Sequence, residues 1–207
     1  MSRIAALILA AGRSTRFAQG AATTKAVATF AGTPMVCRVA GAALESRARP
    51  VVVVTGHAAD SILAALKDYD LQFVHAEDHA EGLSCSLRKG VAALPRDADG
   101  VVVLLADMPL ISSTLIDDLI NVFETTPSAA AIVPTFAGRR GNPVLLGRRL
   151  FPAVARLEAD RGAGPLLVHA EGVIEHPVAN ASIHADVDTK EDLRRLRAES
   201  GPRSRPV

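Results

Sequence analysis

Short apolar runs recur along the chain, and most of them lack the alternation of polar and apolar residues expected of a half-exposed strand. Such runs indicate strands buried on both faces. We predict strands over 4–10, 50–54, 71–75, 100–105 and 129–134, and a strand or hairpin over 138–146. Helix-start residues lie between the runs, with Pro34 suited to a first turn and Ser112 or Ser113 to an N-cap. We predict helices over 35–45, 60–66, 83–94, 112–125, 151–157, 165–170 and 189–198.

Strands that alternate with helices predict an α/β protein, a three-layer α/β/α arrangement with a mostly parallel central sheet. The 207 residues are close to the length of one domain and allow a substantial core. We place this single domain at 1–198 and expect 199–207 to form a flexible basic tail.

Composition and charge restrict the classes of partner. Hydrophobic residues make up 49% of the chain but aromatic residues only 3%, so the core is expected to consist of alanine, valine, leucine and isoleucine. The net charge of +1 argues against electrostatic binding to nucleic acid or to an anionic membrane. Cys37 and Cys85 form no metal or disulfide pattern, and the apolar run at 4–11 is too short to span a bilayer. We therefore expect a cytoplasmic protein.

The loop after the first strand carries small residues followed by cations. Ala10, Ala11 and Gly12 lack bulky side chains, which lets a ring or a phosphate approach the backbone. Arg13, Arg16 and Lys25 add positive charge to backbone N–H groups that can face anionic oxygens. The pattern indicates a nucleotide site, although an ordinary turn with solvated arginines has the same composition; the Walker and dinucleotide-binding patterns are absent.

Two acidic segments are candidate metal ligands. Asp107 directly follows the run at 100–105 and so lies at the carboxyl edge of the predicted sheet, where open α/β sheets bind ligands. An unpaired buried carboxylate is costly, and a Mg²⁺ ion on a triphosphate would compensate it; the alternative is an aspartate in a turn or N-cap. Asp186 and Asp188 precede a helix whose acidic first turn explains Asp188 but does not require Asp186.

Two further segments carry small or basic residues that suit polar ligands. Gly82 and the hydroxyl residues Ser84 and Ser86 open a predicted helix and can face a polar ligand edge, while Ser84 also suits an N-cap. The glycine-flanked basic segments at 138–144 and 159–164 suit a second, anionic substrate, or are surface turns.

Four segments together resemble, in order, the motifs of the nucleotidyltransferases related to the molybdenum-cofactor enzymes. They are Leu-Ala-Ala-Gly-x-x-x-Arg-Phe from Leu9, Gly-Leu-Ser-x-Ser-Leu from Gly82, Asp-Met-Pro from Asp107 and Asp-x-Asp-Thr-x-Glu-Asp-Leu from Asp186. The resemblance implies a Rossmann-like, GT-A-like nucleotidyltransferase fold. The chain departs from the family pattern at Ala18, in the long segment 19–24, at Asn142 (a histidine in the family) and at Gly164 (an arginine).

The resemblance also implies roles for individual residues. Catalytic roles fall to Arg16, Lys25 and Asp107; metal binding falls to Asp107, then Asp186, then Asp188. The nucleotide-binding residues implied are Leu9, Ala10, Ala11, Gly12, Arg13, Gly82, Ser84 and Ser86. The acceptor-binding residues implied are Arg140, Gly141, Asn142, Pro143 and Asp160.

The resemblance implies a Mg²⁺-dependent transfer of CMP from CTP to a molybdopterin-type molybdenum cofactor, with release of pyrophosphate and a transient contact with an apo-molybdoenzyme. The alanine pair at 10–11 is similar to the cytidylyl branch, whereas the guanylyl branch usually has two glycines there. Three alternatives stay open: a guanylyltransferase of the same fold, a cytidylyltransferase for a sugar-alcohol phosphate, and a non-catalytic carrier of the molybdenum cofactor.

Overall fold

A mixed β-sheet with its first strand at the centre organises the chain. The computed structural model describes residues 1–18, 24–77, 82–158 and 162–200. The strands are β1 (Ile4–Leu9), β2 (Thr29–Phe30), β3 (Thr33–Pro34), β4 (Val51–Thr55), β5 (Gln72–His75), β6 (Gly100–Leu105), β7 (Ala131–Phe136), β8 (Arg139–Arg140), β9 (Val144–Gly147) and β10 (Val173–Pro177). In the described ranges, eight of these strands form the main sheet, and β2 pairs with β3 in a separate small hairpin.

The order of the strands places a crevice beside β1. The main path runs β10-β7-β9-β6-β1-β4-β5, with β8 paired to β7. Strands β1, β4, β5 and β6 are parallel, whereas β9 runs antiparallel to both β6 and β7. The chain moves outward from β1 to β5 and then returns to β6 on the other side of β1. Loops therefore diverge at the carboxyl ends of β1 and β6, the place where open α/β sheets bind ligands.

Helices cover both faces of the sheet. They are α1 (Thr15–Ala18), α2 (Met35–Glu45), α3 (Ala59–Ala65), α4 (Leu83–Ala92), α5 (Ser113–Thr125), α6 (Phe151–Val154), α7 (Gly164–His169) and α8 (Lys190–Ser200). Alternate β1 residues enter opposite cores: Ile8 packs with residues of α2, α3 and α5, and Leu7 with residues of α4, α6 and α7. The predicted three-layer α/β/α fold with a mostly parallel sheet is thereby confirmed.

A third apolar cluster supports the loops above the sheet. It brings Phe17 of α1 together with Phe30 of β2, Val187, and Leu193 of α8. These residues come from segments far apart in the sequence. The cluster therefore fixes the first loop and the segment around 186–188 to the same side of the molecule.

Several predicted boundaries move in the structure. Strand β7 begins at Ala131, two residues later than expected, and the N–H of Ala130 just before it donates to the carbonyl of Gly172. The helix expected over 151–157 ends at Val154. Strand β10 was not predicted; it lies at the edge of the sheet with polar, partly exposed residues, so it lacks an apolar run. Ser112 is the N-cap of α5, with its hydroxyl accepting the N–H of Leu115 at 3.2 Å.

The carboxyl end of the chain continues as helix α8 to Ser200, and the rest of the predicted tail, 201–207, lies outside the described residues. Cys37 and Cys85 are buried free thiols. No helix within the described ranges is long and apolar enough to cross a membrane.

Candidate active site

A cavity of about 400 Å³ opens where β1 and β6 end. One wall is the loop after β1, the floor is the segment after β6, and the opposite wall is the start of α4. The residues that line the cavity are Leu9, Ala10, Ala11, Gly12, Arg13, Ser14, Thr15, Arg16, Thr24, Lys25, Ala26, Gly82, Leu83, Ser86, Leu105, Ala106, Asp107 and Asp188. Residues from both ends of the sequence thus meet at the strand-order crevice.

Asp107 is the most buried carboxylate of the cavity. It follows β6 by two residues, and its side chain is 13% exposed. One oxygen, Oδ2, lies 2.5 Å from Nζ of Lys25. The other, Oδ1, is buried and has no hydrogen-bond partner among the described residues. Burial raises the pKa of Asp107, while the charge of Lys25 and its hydrogen bond oppose that rise.

Lys25 lies between two carboxylates. Its Nζ is 2.5 Å from Asp107 Oδ2 and 2.7 Å from Asp188 Oδ1. Burial is the largest single influence and lowers the pKa of Lys25, but the combined attraction of the two carboxylates outweighs it and the net pKa is raised. The hydrogen bond from Lys25 lowers the pKa of Asp188, while partial burial acts in the opposite direction. The charge of Arg16, whose Nη1 lies 2.8 Å from Asp188 Oδ2, lowers this pKa further. The residues form a closely coupled cluster of alternating charge.

A backbone hydrogen bond holds the acidic segment at 186–188 next to the cavity. The N–H of Val187 donates to the carbonyl oxygen of Asp107 at 3.1 Å, and the Val187 side chain is buried. A capping box then opens α8: the Asp192 carboxylate accepts the N–H of Thr189, and the Thr189 hydroxyl accepts the N–H of Asp192. These contacts fix the course of the chain on both sides of Asp188.

The structure distinguishes the two aspartates that flank Val187. Asp188 lines the cavity and binds both cations, whereas Asp186 is exposed and does not line it. Asp186 is still close enough for its charge to favour the protonated form of Asp107. Of the two aspartates, Asp188 is therefore the one whose side chain lies in the cavity beside Asp107, and the expected preference for Asp186 as a metal ligand stays a prediction.

The loop after β1 supplies the wall that was expected to meet the nucleotide. Leu9, Ala10, Ala11, Gly12 and Arg13 all line the cavity. A Cβ added to Gly12 would meet no described atom within 4 Å, and Gly12 has no positive φ, so nothing in the described structure itself requires glycine there. The space above Gly12 belongs to the cavity.

The opposite wall is built at the start of α4. Gly82 has a φ of +107°, a conformation that side-chain-bearing residues rarely adopt, and it is the N-cap of the helix. The expected N-cap role of Ser84 is therefore wrong, because Ser84 lies inside the first turn and makes no capping bond. Its hydroxyl is buried with no hydrogen-bond partner among the described residues, and only Gly82, Leu83 and Ser86 of this segment line the cavity.

Those residues expected to bind an acceptor that the structure describes do not line this cavity. Gly141, Asn142 and Pro143 join β8 to β9, and the N–H of Asn142 donates to the carbonyl of Ile183 at 3.0 Å. A Cβ on Gly141 would lie 2.5 Å from the same carbonyl oxygen, so close backbone packing accounts for this glycine. The Arg140 guanidinium binds the Glu175 carboxylate, with Nε 2.8 Å from Oε1. Asp160 lies outside the described residues.

The cavity lining also contains residues that the sequence reasoning missed, among them Ser14 and Thr24. Ser14 lines the cavity, has a φ of +53°, and its Oγ lies 3.0 Å from Thr24 Oγ1. The same oxygen accepts the backbone N–H of Lys25 at 3.0 Å. No motif signals a contact between hydroxyl residues ten positions apart across a loop, so only the fold could identify this pair.

Comparisons with known proteins identify the family and the fold. The sequence model of a family described as the MobA-like NTP transferase domain matches residues 6–176. The crystal structure of Rv0371c from Mycobacterium tuberculosis H37Rv has a TM-score of 0.83 at 28% identity, with 95% of this chain and 98% of that chain covered. A structure of Rv0371c in complex with manganese has a TM-score of 0.81 at 28% identity and covers 95% and 99% of the two chains.

Curated relatives match over part of their own length. The bifunctional protein GlmU of Acidovorax sp. (strain JS42) is 34% identical over 192 residues, which are 87% of this chain and 35% of that protein. The chain spans about a third of the length of the curated relatives it matches. The likeness therefore concerns one portion of a longer, bifunctional protein.

Proposed function

The chain belongs to the MobA-like NTP transferase family and is a nucleotidyltransferase, and from this premise we propose that it transfers CMP from CTP to a molybdopterin-type molybdenum cofactor and releases pyrophosphate. One observation carries the proposal. The cavity at the strand-order crevice combines a loop of small residues with a coupled cluster of Lys25, Arg16, Asp107 and Asp188. Such a cluster suits a triphosphate and a divalent cation, which together supply both signs of charge.

The residues fit a hard divalent cation. Mg²⁺ prefers carboxylate oxygens in combination with phosphate oxygens and water. Asp107 Oδ1 is a buried acceptor with no described partner, and the Asp188 carboxylate lies across Lys25 from it. We infer that Asp107 and Asp188 hold Mg²⁺, with Asp186 at the margin of the site. The manganese complex of Rv0371c supports a divalent metal in this family. When bound, the ion polarises phosphate oxygens and neutralises developing charge.

The chemistry requires alignment and charge neutralisation more than covalent help. An oxygen of the acceptor phosphate forms a bond to the α-phosphorus of CTP, and the bond from that phosphorus to the bridging oxygen of the β-phosphate breaks. Pyrophosphate leaves with the electron pair. Arg16 and Lys25 bind the α-phosphate and the pyrophosphate, so their positive charge stabilises the transition state. An acceptor phosphate is already ionised and needs no general base.

The walls of the cavity support recognition of a pyrimidine. Ala10 and Ala11 line the cavity at the two positions where the guanylyl branch usually has glycines, and this difference supports a cytidylyl rather than a guanylyl enzyme. Gly82 and Ser86 face these residues across the cavity and offer polar groups to the base edge. We place the acceptor next to the segment 140–143 and residue 160. Arg140 must exchange its Glu175 partner to bind an acceptor anion.

The decisive experiment offers CTP, GTP, ATP and UTP separately, with Mg²⁺ and molybdenum cofactor, and measures pyrophosphate release. We expect release with CTP, loss of release in Asp107→Asn, and full activity in the control Asp118→Asn, an exposed aspartate of α5. Release with GTP would overturn the assignment of the base and indicate a guanylyltransferase.

Two other outcomes would overturn the acceptor. Transfer to a sugar-alcohol phosphate but not to molybdenum cofactor would indicate the corresponding cytidylyltransferase. Binding of molybdenum cofactor without pyrophosphate release from any nucleotide, and without an effect of Asp107→Asn, would indicate a carrier that delivers the cofactor to an apo-molybdoenzyme.

A further inference from the structure

We propose that Ser14 is a positioning residue for Lys25 and that its hydroxyl, with that of Thr24, joins the two ends of the first loop. The inference rests on the proposed role of Lys25 in nucleotidyl transfer, but not on the identity of the acceptor or of the base. No motif identifies Ser14, and its hydroxyl oxygen accepts the backbone N–H of Lys25.

The first observation is the backbone of Ser14 itself. Its φ of +53° lies in the left-handed region, which is uncommon for a residue with a side chain. Such a conformation persists only where the surroundings enforce it, and it often occurs at functional sites. The turn it makes starts helix α1, since the N–H of Phe17 donates to the Ser14 carbonyl at 2.9 Å. The same turn directs the Ser14 side chain towards Thr24 and Lys25.

The second observation is the pair of bonds that the hydroxyl makes. Ser14 Oγ accepts the N–H of Lys25 at 3.0 Å and also shares a hydrogen bond with Thr24 Oγ1, at 3.0 Å. Thr24 is buried, with 2% of its surface exposed, so its hydroxyl depends on a protein partner. Ser14 thus binds both the side chain of Thr24 and the backbone N–H of Lys25.

The third observation is the position of the Lys25 ammonium group between two carboxylates. Its ammonium group spans Asp107 and Asp188, at 2.5 and 2.7 Å. A long, flexible side chain reaches such a geometry reproducibly only if its Cα is fixed. Because a displacement of about 1 Å at a reacting centre can cost about a hundredfold in rate, the anchor of Lys25 matters for the chemical step.

The experiment removes the hydroxyl in two ways. Ser14→Ala deletes it and keeps a Cβ, while Ser14→Gly deletes it and also relaxes the left-handed backbone. We expect both variants to lose at least about tenfold in kcat with a KM for nucleotide within about threefold of the native value, the pattern of an interaction made only in the transition state. Ser128→Ala, at an exposed serine, is the control and should change neither constant. Full activity of Ser14→Gly would overturn the role of the hydroxyl.

A double-mutant cycle tests whether Ser14 acts through Lys25. If it does, Ser14→Ala has no further effect on kcat once Lys25→Met is present. An equal, additional loss in the double variant would overturn the inference and indicate a general structural role.

A second readout needs no turnover and so separates this inference from the proposed function. Trinitrobenzenesulfonate labels lysines, and peptide mapping resolves Lys25 from Lys67, the exposed reference. We expect Ser14→Ala to label at Lys25 at least about threefold faster, because the freed backbone lets the ammonium leave its carboxylates. An unchanged Lys25/Lys67 labelling ratio would overturn the positioning role even if the enzyme shows no transferase activity on any acceptor tried.

Discussion

The position of Lys25 between two carboxylates makes the substitution Lys25→Met informative. Methionine keeps much of the length of the side chain and removes the charge. At an effective dielectric constant of about 20, a contact of 2.5 Å between unit charges gives roughly 7 kcal/mol of attraction before desolvation is counted. The cost of desolvating the two charges offsets most of this attraction, so the free energy of unfolding falls by much less than this figure when Lys25 is replaced.

The net effect follows from the burial of the partners. Removing one member of a fully buried ion pair costs about 3–5 kcal/mol, because the remaining charge has no compensation. Asp107 and Asp188 keep 13% and 31% of their side-chain surface exposed, so water recovers part of the loss. We expect Lys25→Met to lower the free energy of unfolding by about 2 kcal/mol. For a domain of this size, that corresponds to a decrease in Tm of about 5 °C.

The same variant should bind a divalent cation more tightly in the absence of nucleotide. The ammonium group and the cation are positive charges that compete for the same two carboxylates, those of Asp107 and Asp188, so removing the first favours binding of the second. We expect the Kd for Mn²⁺, measured by electron paramagnetic resonance, to fall at least about tenfold, which is about 1.4 kcal/mol. Saturating Mn²⁺ should then restore the lost Tm.

The control is Lys67→Met, at an exposed lysine with no ion pair among the described residues, which should leave both the Tm and the Mn²⁺ affinity unchanged. The reasoning is refuted if Lys25→Met melts within about 1 °C of the native protein and binds Mn²⁺ no more tightly. Destabilisation without tighter Mn²⁺ binding would refute only the role of Asp107 and Asp188 as metal ligands.

Further predictions concern the cavity wall and a distant ion pair. Gly12→Ala should keep the native Tm but weaken nucleotide binding, measured by calorimetry, at least about tenfold, because the added methyl group enters the cavity. The control Gly41→Ala, in helix α2, should leave nucleotide binding unchanged and raise the free energy of unfolding by up to about 1 kcal/mol. The hydrogen bond from the Ser2 N–H lowers the pKa of Glu124, and the Arg47 guanidinium lowers it to a smaller extent. The ionised Glu124 carboxylate therefore stabilises the fold above its ordinary pKa of 4.5, and this stabilisation is lost as the pH falls below that value. Glu124→Gln should therefore destabilise the protein in urea at pH 7 more than at pH 3, whereas the exposed Glu45→Gln should show no such difference.

The fold was largely predictable because it depends on local patterns. Apolar runs such as Val51–Thr55 and Gly100–Leu105 have few alternatives to a buried strand, and the helix Met35–Glu45 begins directly after a proline. Edge strand β10 was missed for the same reason, since a strand with one exposed side and one neighbour needs no continuous apolar run.

The candidate site was predictable only in outline. A carboxylate after a central strand must lie at the sheet edge, so the location of Asp107 follows from the sequence pattern. The choice between Asp186 and Asp188 does not, because it depends on the burial of Val187 and on its bond to the Asp107 carbonyl. The acceptor segment shows the same limit: Gly141 packs against Ile183, a contact with no local signal.

The sequence by itself determined the α/β class, most of the strands and helices, and the small-residue and acidic motifs around the crevice, because these depend on neighbours in the chain. Only the tertiary structure decided which charges meet. Lys25, Asp107 and Asp188 come from three distant segments. The hydrogen bond between Ser14 and Lys25 closes the loop that runs from residue 14 to residue 25. Electrostatic and hydrogen-bond energies fall steeply with distance, so they are set by the few ångströms of packing that no one-dimensional pattern contains.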